Sequence, residues 1–142
     1  MICVFFGHHD APPEIQVKLT EVLTELIISH DVTVFYVGNQ GNFDFLVRKA
    51  LEKIKPFYSF ECAVVLAYLP VERRTDNFIG FETIFPDGLE DVPPRFAISR
   101  RNDWMIKKAD YVVTYVKHSF GNAAKCKEKA ERQGKYIIEL AQ

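Results

Sequence analysis

Cysteine is scarce and scattered. Cys3, Cys62 and Cys126 are the three in 142 residues, none forms a C-x-x-C pair, and two fall in apolar, strand-like runs. They read as reduced packing residues, not as a zinc site or a disulfide framework. No sign of charge dominates: 18 lysines and arginines face 19 acidic residues, a formal charge of −1. That balance argues against a general nucleic-acid coat and against a polybasic membrane anchor. Long hydrophobic runs are missing as well. The apolar stretch from Ile2 to Phe6 breaks at Gly7 and His8 and has no basic residue before it. It is too short for a signal peptide or a membrane span, so a cytoplasmic protein is expected. Internal repeats and low-complexity tracts are also lacking. What is present is a chain that is 48% hydrophobic. Residues 1–142 read as a single domain, which at this length buries roughly two-thirds of its unfolded surface in one core.

The periodicity alternates between strand and helix. Ile2 to Phe6 is a first apolar strand. Pro12 and Pro13 open a helix whose Ile15, Leu19, Val22, Leu23, Leu26 and Ile27 form one stripe. Val32 to Val37 is a second strand, and a second helix carries Phe43, Leu46, Val47, Ala50, Leu51 and Ile54 inward until Pro56. Glu61 to Tyr68 reads as a third strand. From about residue 69 to 94 the period is lost, apart from a possible short edge strand at Phe81 to Phe85. A loop of that length is usually functional or poorly ordered, and a lid over a site is one reading. A helix from Pro94 to about Lys108, a strand at Tyr111 to Val116, a polar helix to Gln133 and a last strand at Tyr136 to Leu140 complete the chain. This pattern predicts an α/β, Rossmann-like three-layer fold with a mainly parallel five-stranded sheet ordered 3-2-1-4-5 and helices on both faces. In such a sheet the ligand crevice lies beyond the carboxyl ends of the strands where the winding reverses, here between the first and fourth strands.

Four loops arrive at that edge. The second joins strand to helix through Gly38-Asn39-Gln40-Gly41-Asn42-Phe43-Asp44. Gly38 and Gly41 allow positive φ and close approach of an anion to helix N–H groups, Asn39, Gln40 and Asn42 add neutral donors, and Asp44 offers an acceptor for a ribose hydroxyl. A tight βα turn holding no ligand is the alternative. In the first loop, Gly7-His8-His9-Asp10 invites a metal reading, but adjacent histidines rarely share an ion and no third ligand has recognisable spacing. No metal and no other cofactor is expected. Either one imidazole contacts phosphate or base, or it is a satisfied structural histidine. In the fourth loop, His118, Ser119, Gly121 and Asn122 precede a helix with a small inner face, which makes either a second anion seat or an ordinary N-cap.

The helix from Pro94 supplies a separate indication. At about 100° per residue, Ile98, Met105, Ile106 and Ala109 share the sheet-facing side with Arg95, Arg101 and Asn102, whereas Arg100, Asp103 and Lys107 lie opposite. The polar first half of the inner face then overhangs the crevice. An arginine on a buried side needs an anion: a ligand, or an internal partner such as Asp10, Asp44 or Glu82.

Together, Phe6-Gly7-His8, the run from Tyr36 to Asp44, Val92 to Ser99 with Arg101-Asn102, and Val113 to Gly121 resemble the short bacterial and phage proteins of the SLOG superfamily. That superfamily joins the DNA-processing protein DprA, the Lonely Guy phosphoribohydrolases and the YpsA group. The resemblance runs through nearly the whole chain. It implies a Rossmann-like domain that binds nucleotides or nucleotide-derived molecules, some relatives being sensors of ADP-ribose-type signals. Carried over by motif, it implies a binding set of Gly7, His8, Gly38, Asn39, Gln40, Gly41, Asn42, Asp44, Arg101, His118, Ser119 and Gly121. Relatives often pair, and Phe57, Tyr58 and Phe60 lie in one exposed-looking connection, so a homo-oligomer is expected.

The departures bear on catalysis. Lonely Guy hydrolases carry P-G-G-x-G-T-x-x-E at the fourth loop, and here His118 to Cys126 puts Lys125 and Cys126 where that glutamate would sit, with Glu128 beyond. His9 stands where relatives suggest arginine. The expected function is therefore binding of a nucleotide-type small molecule, an ADP-ribose-like compound or a nucleoside monophosphate, for sensing or sequestration. N-glycosidic or phosphoribosyl hydrolysis is the alternative, with Arg101 and Asp44 as catalytic candidates. A single-stranded DNA module is a third reading, which the neutral charge disfavours.

Overall fold

The structure is a computed structural model that describes residues 1–69 and 80–141. Six parallel strands form one sheet: β1 (Ile2–Gly7), β2 (Val34–Val37), β3 (Glu61–Val65), β4 (Glu82–Ile84), β5 (Tyr111–Tyr115) and β6 (Tyr136–Glu139), in the order β4-β3-β2-β1-β5-β6. The α/β Rossmann-like architecture is as expected, but the sheet has six strands and not five. The added member is the possible edge strand, which pairs in parallel with β3 through Ala63 opposite Glu82. Its three residues, two of them exposed, leave little hydrophobic signature in the sequence. β3 is also shorter than expected and stops at Val65.

Four helices cover the two faces: α1 (Gln16–Ser29), α2 (Gly41–Ile54), α3 (Pro94–Lys108) and α4 (Asn122–Arg132). Alternation along β1 shows how. Cys3 and Phe5 point into the cluster that holds Leu19, Leu23 and Leu26 of α1 and Leu46, Val47 and Leu51 of α2. Val4 and Phe6 point the other way, against Met105 and Ile106 of α3 and Cys126 and Ala130 of α4. Both faces of the strand are buried, which is why its sequence is continuously apolar. Each fully buried leucine or phenylalanine contributes about 1.5–3 kcal/mol, so these two clusters carry most of the fold's hydrophobic stabilisation. Among the described residues no helix is long and apolar enough to cross a membrane. The three cysteines are buried and unpaired.

From β1 to β4 the chain winds outward in one direction. It then returns through α3 to β5 on the other side of β1. The winding therefore reverses between β1 and β5, as expected, where Gly7 lies in register with Tyr115. Gly7 is required here for packing: a Cβ on it would lie 2.3 Å from the Phe43 ring, so α2 can seat on β1 only over a glycine. Of the loop read as a lid, residues 70–79 lie outside the described residues. Beyond them come β4 and a short 3-10 turn at Leu89–Asp91.

Candidate functional site

A hollow of about 490 Å³ opens at this reversal, between the carboxyl ends of β1 and β5 and under the first halves of α3 and α4. Its size falls within the roughly 300–1,000 Å³ typical of small-molecule sites. Gly7, His8, Gly38, Gln40, Gly41, Asp44, Arg101, Asn102, His118, Gly121 and Asn122 all contribute to its wall, so three of the loops and the inner face of α3 converge as their sequence positions implied.

Arg101 and Asp44 form the most constrained part. Arg101 is only 3% exposed. Its Nε donates to Asn102 Oδ1 at 2.8 Å, and its Nη1 donates to the Val65 carbonyl at 3.0 Å and to Asn39 Oδ1 at 3.4 Å. Nη2 has no hydrogen-bond partner among the described residues. Asp44 is 8% exposed and accepts the Gln40 backbone N–H at 2.9 Å. Burial pushes its carboxyl up to about 6, against the opposing pull of Arg101, of the Gln40 amide and of Arg48. Burial likewise lowers the Arg101 pKa while Asp44 raises it. The two side chains flank Gly38: a Cβ there would sit 2.7 Å from Asp44 Oδ2 and 3.1 Å from Arg101 Nη1. They share this floor without closing on each other, for no ion pair joins them among the described residues, nor does one join Arg101 to Asp10 or Glu82.

The glycine loop is less open than its sequence suggests. The Gln40 N–H is taken by Asp44, the Asn42 N–H by the His9 carbonyl at 2.9 Å, and the Asn42 side-chain amide donates to the Ala11 carbonyl at 2.5 Å. Gly41, with φ of 85°, lets the His9 backbone pass within 2.7 Å of where its Cβ would be. Much of the motif thus docks the first loop on α2. The N-terminus of α4 is different: Gly121 precedes it at φ 94° and no side chain caps it. Its first residues, Asn122 and Ala123, line the hollow, so the positive end of its dipole lies at that space.

His8 joins the first and fourth loops. Its backbone N–H donates to the Tyr115 carbonyl at 3.1 Å, and its ring Nε2 accepts the Lys117 N–H at 2.9 Å and the His118 N–H at 3.3 Å. Accepting at Nε2 fixes the neutral ring with its proton on Nδ1. Burial and the neighbouring His118 hold its pKa below the ordinary value. Thus His8 is both a structural acceptor and part of the wall.

Arg95 is corrected. It is exposed, its guanidinium lying 4.8 Å over the Phe96 ring, because the first turn of α3 lies outside the hollow and the sheet-facing phase has nothing to face there. Asn39, Asn42 and Ser119 also stand outside the wall, Asn39 touching the site through Arg101. Of the three aromatics in the connection after α2, Phe57 is exposed, whereas Tyr58 and Phe60 pack against the core. The lining residues outside the expected set include Ile98, Met105, Phe120 and Cys126. Of these only Phe120, an aromatic set in a polar loop, carries a local signal. Burial raises the Cys126 thiol to about 11, so it is no nucleophile at neutral pH. Among the described residues no group of three or more histidines, cysteines and carboxylates is arranged to hold a metal ion.

No protein-family model matches the sequence, and no curated protein matches it. Among solved structures the chain is similar to DNA processing protein A (DprA) from Streptococcus pneumoniae, with 14% identity and a TM-score of 0.66 over 96% of this chain and 49% of that one. The chain therefore spans about half the length of that protein. At this identity the likeness is one of fold: it supports the α/β, Rossmann-like architecture described above.

Proposed function

We propose that the hollow between β1 and β5 binds a phosphorylated nucleoside, of the ADP-ribose or nucleoside monophosphate class, and that the protein senses or sequesters it. The observation that carries this reading is Arg101. A guanidinium only 3% exposed, without an ion pair among the described residues and with Nη2 unpartnered among them, bears a desolvated positive charge that an anion would complete. The uncapped start of α4 borders the same space and supplies amide donors of the kind that hold phosphate. The Gln40 and Asn42 amides of the glycine loop are already used, which favours the α3–α4 side of the hollow as the phosphate seat. Calorimetric titration with AMP, ADP-ribose and inorganic phosphate tests the reading. Stoichiometric binding of a nucleotide is expected, and heats indistinguishable from dilution for all three would end it.

One observation favours a second reading, hydrolysis of the N-glycosidic bond. Asp44 combines burial, a carboxyl pKa of about 6 and a place in the wall, the properties of a general acid or base working near neutral pH. It would take the part of the glutamate missing from the fourth loop. Chromatography after incubation with AMP, NAD or ADP-ribose separates the two, since free base formed at catalytic turnover marks hydrolysis and unchanged ligand marks binding.

A further inference from the structure

The outer wall of the hollow is a ladder of rings. His8 meets the edge of Tyr115 at 6.3 Å and 87°, then lies 4.9 Å from His118 at 33°, and His118 stacks on Phe120 at 5.0 Å and 15°. Three of these rings, His8, His118 and Phe120, line the hollow. Phe120 is 70% exposed and has no other ring against it among the described residues. The fold gains little from a phenyl group so exposed, because most of its apolar surface is still in water. Its position is informative: it directly precedes Gly121 and Asn122, where α4 begins, so one short loop carries both a free aromatic face and the unused amides.

We propose, building on the nucleotide reading above, that Phe120 and His118 form a stacking shelf for the base, which makes the site selective for ligands with a planar aromatic ring over bare sugar phosphates. Stacking is tolerant of base identity, because every base presents a π-face. Any choice among bases falls to hydrogen-bond donors nearby, and His8 offers one, since its proton is on Nδ1 while Nε2 is engaged by two backbone amides. The shelf thus accounts for a ring-bearing loop that α4 does not need for its own packing.

The test compares AMP with ribose 5-phosphate by calorimetry on the whole chain, using Phe120→Ala, Phe120→Trp and wild type. Phe120 is exposed, so its variants are expected to melt within a degree or two of wild type. Wild type is expected to bind AMP more tightly than ribose 5-phosphate. Phe120→Ala is expected to weaken AMP about tenfold or more, the usual effect of losing one stacking ring. Ribose 5-phosphate should be unaffected by that change, and Phe120→Trp should retain AMP affinity. Unchanged AMP affinity in Phe120→Ala, or equal weakening of both compounds, overturns the shelf while leaving the nucleotide reading in place. Binding of neither compound by wild type removes the nucleotide reading itself, and the shelf with it.

Discussion

Replacing Asp44 with asparagine is expected to stabilise the protein at neutral pH. The carboxyl rises from an ordinary 3.8 to about 6, mainly because burial penalises its charged form. About two pKa units at roughly 1.4 kcal/mol each give a contribution on the order of 3 kcal/mol. The sign follows from which state holds the proton more tightly. The folded protein does, so the contribution is fully present below about pH 3.8 and is lost as the pH climbs through about 6. Asparagine has nearly the same shape and cannot ionise. Urea denaturation of both proteins should therefore give similar stabilities near pH 4 and a gap on the order of 3 kcal/mol in favour of Asp44→Asn by about pH 7.5. Thermal melts should show the same trend, about 6–12 °C at the higher pH for a domain of this size. Other titrating groups, Glu139 among them, contribute equally to both proteins and cancel. The result has a clear opposite. If Asp44 were the ion-pair partner of Arg101, removing it would leave a buried guanidinium uncompensated and cost about 3–5 kcal/mol. Asp44→Asn would then be the weaker protein at neutral pH, and the reasoning from an unpaired floor would be refuted. Retaining a carboxylate that costs stability is what a functional site does.

Gly38→Ala is expected to wedge a methyl group between Asp44 and Arg101, costing about 1–3 kcal/mol through overpacking and abolishing nucleotide binding; a wild-type melting temperature together with wild-type affinity would contradict the geometry. Glu139 accepts from Thr114 Oγ1, the Val116 and Ala141 amides and Lys127, which together hold its pKa below the ordinary value despite its partial burial. Its contribution is present above the unfolded carboxylate pKa and lost as the pH falls through the lower folded one, so Glu139→Gln should cost about 1–3 kcal/mol at neutral pH and progressively less in acid. Urea midpoints across that range check it, and a constant deficit would refute the assignment. His8→Ala removes the acceptor shared by the Lys117 and His118 amides and should speed hydrogen exchange at those two amides, while amides in the middle of β5 stay protected.

Much of the fold was legible because burial on both faces writes itself into a parallel strand. β1 and β5 are near-continuous apolar runs, and their pairing fixes the crevice. β4 was faint because an exposed three-residue edge strand makes few demands on its sequence. In the site, helical phase sorted Arg101 and Asn102 from Arg100 correctly, since the sheet side of α3 is continuous at that depth. The same rule failed at Arg95, where phase was right but no wall stood opposite. Phase gives direction and says nothing about what lies there. The glycine loop was legible as a turn, yet the fate of its amides depended on the His9 carbonyl and Asp44, contacts that sequence spacing does not encode. Likewise the ring ladder joins residues 8, 115, 118 and 120 across two strands, and only the β1–β5 register brings them together.

The central claim is that the buried guanidinium of α3 receives a phosphorylated nucleoside, and calorimetric titration of AMP and ADP-ribose into wild type, Arg101→Met and Arg100→Ala tests it most directly. Saturable one-to-one binding by wild type and by Arg100→Ala, lost in a folded Arg101→Met protein, is the predicted result. Equal binding by the two arginine variants, or none by wild type, would contradict the account.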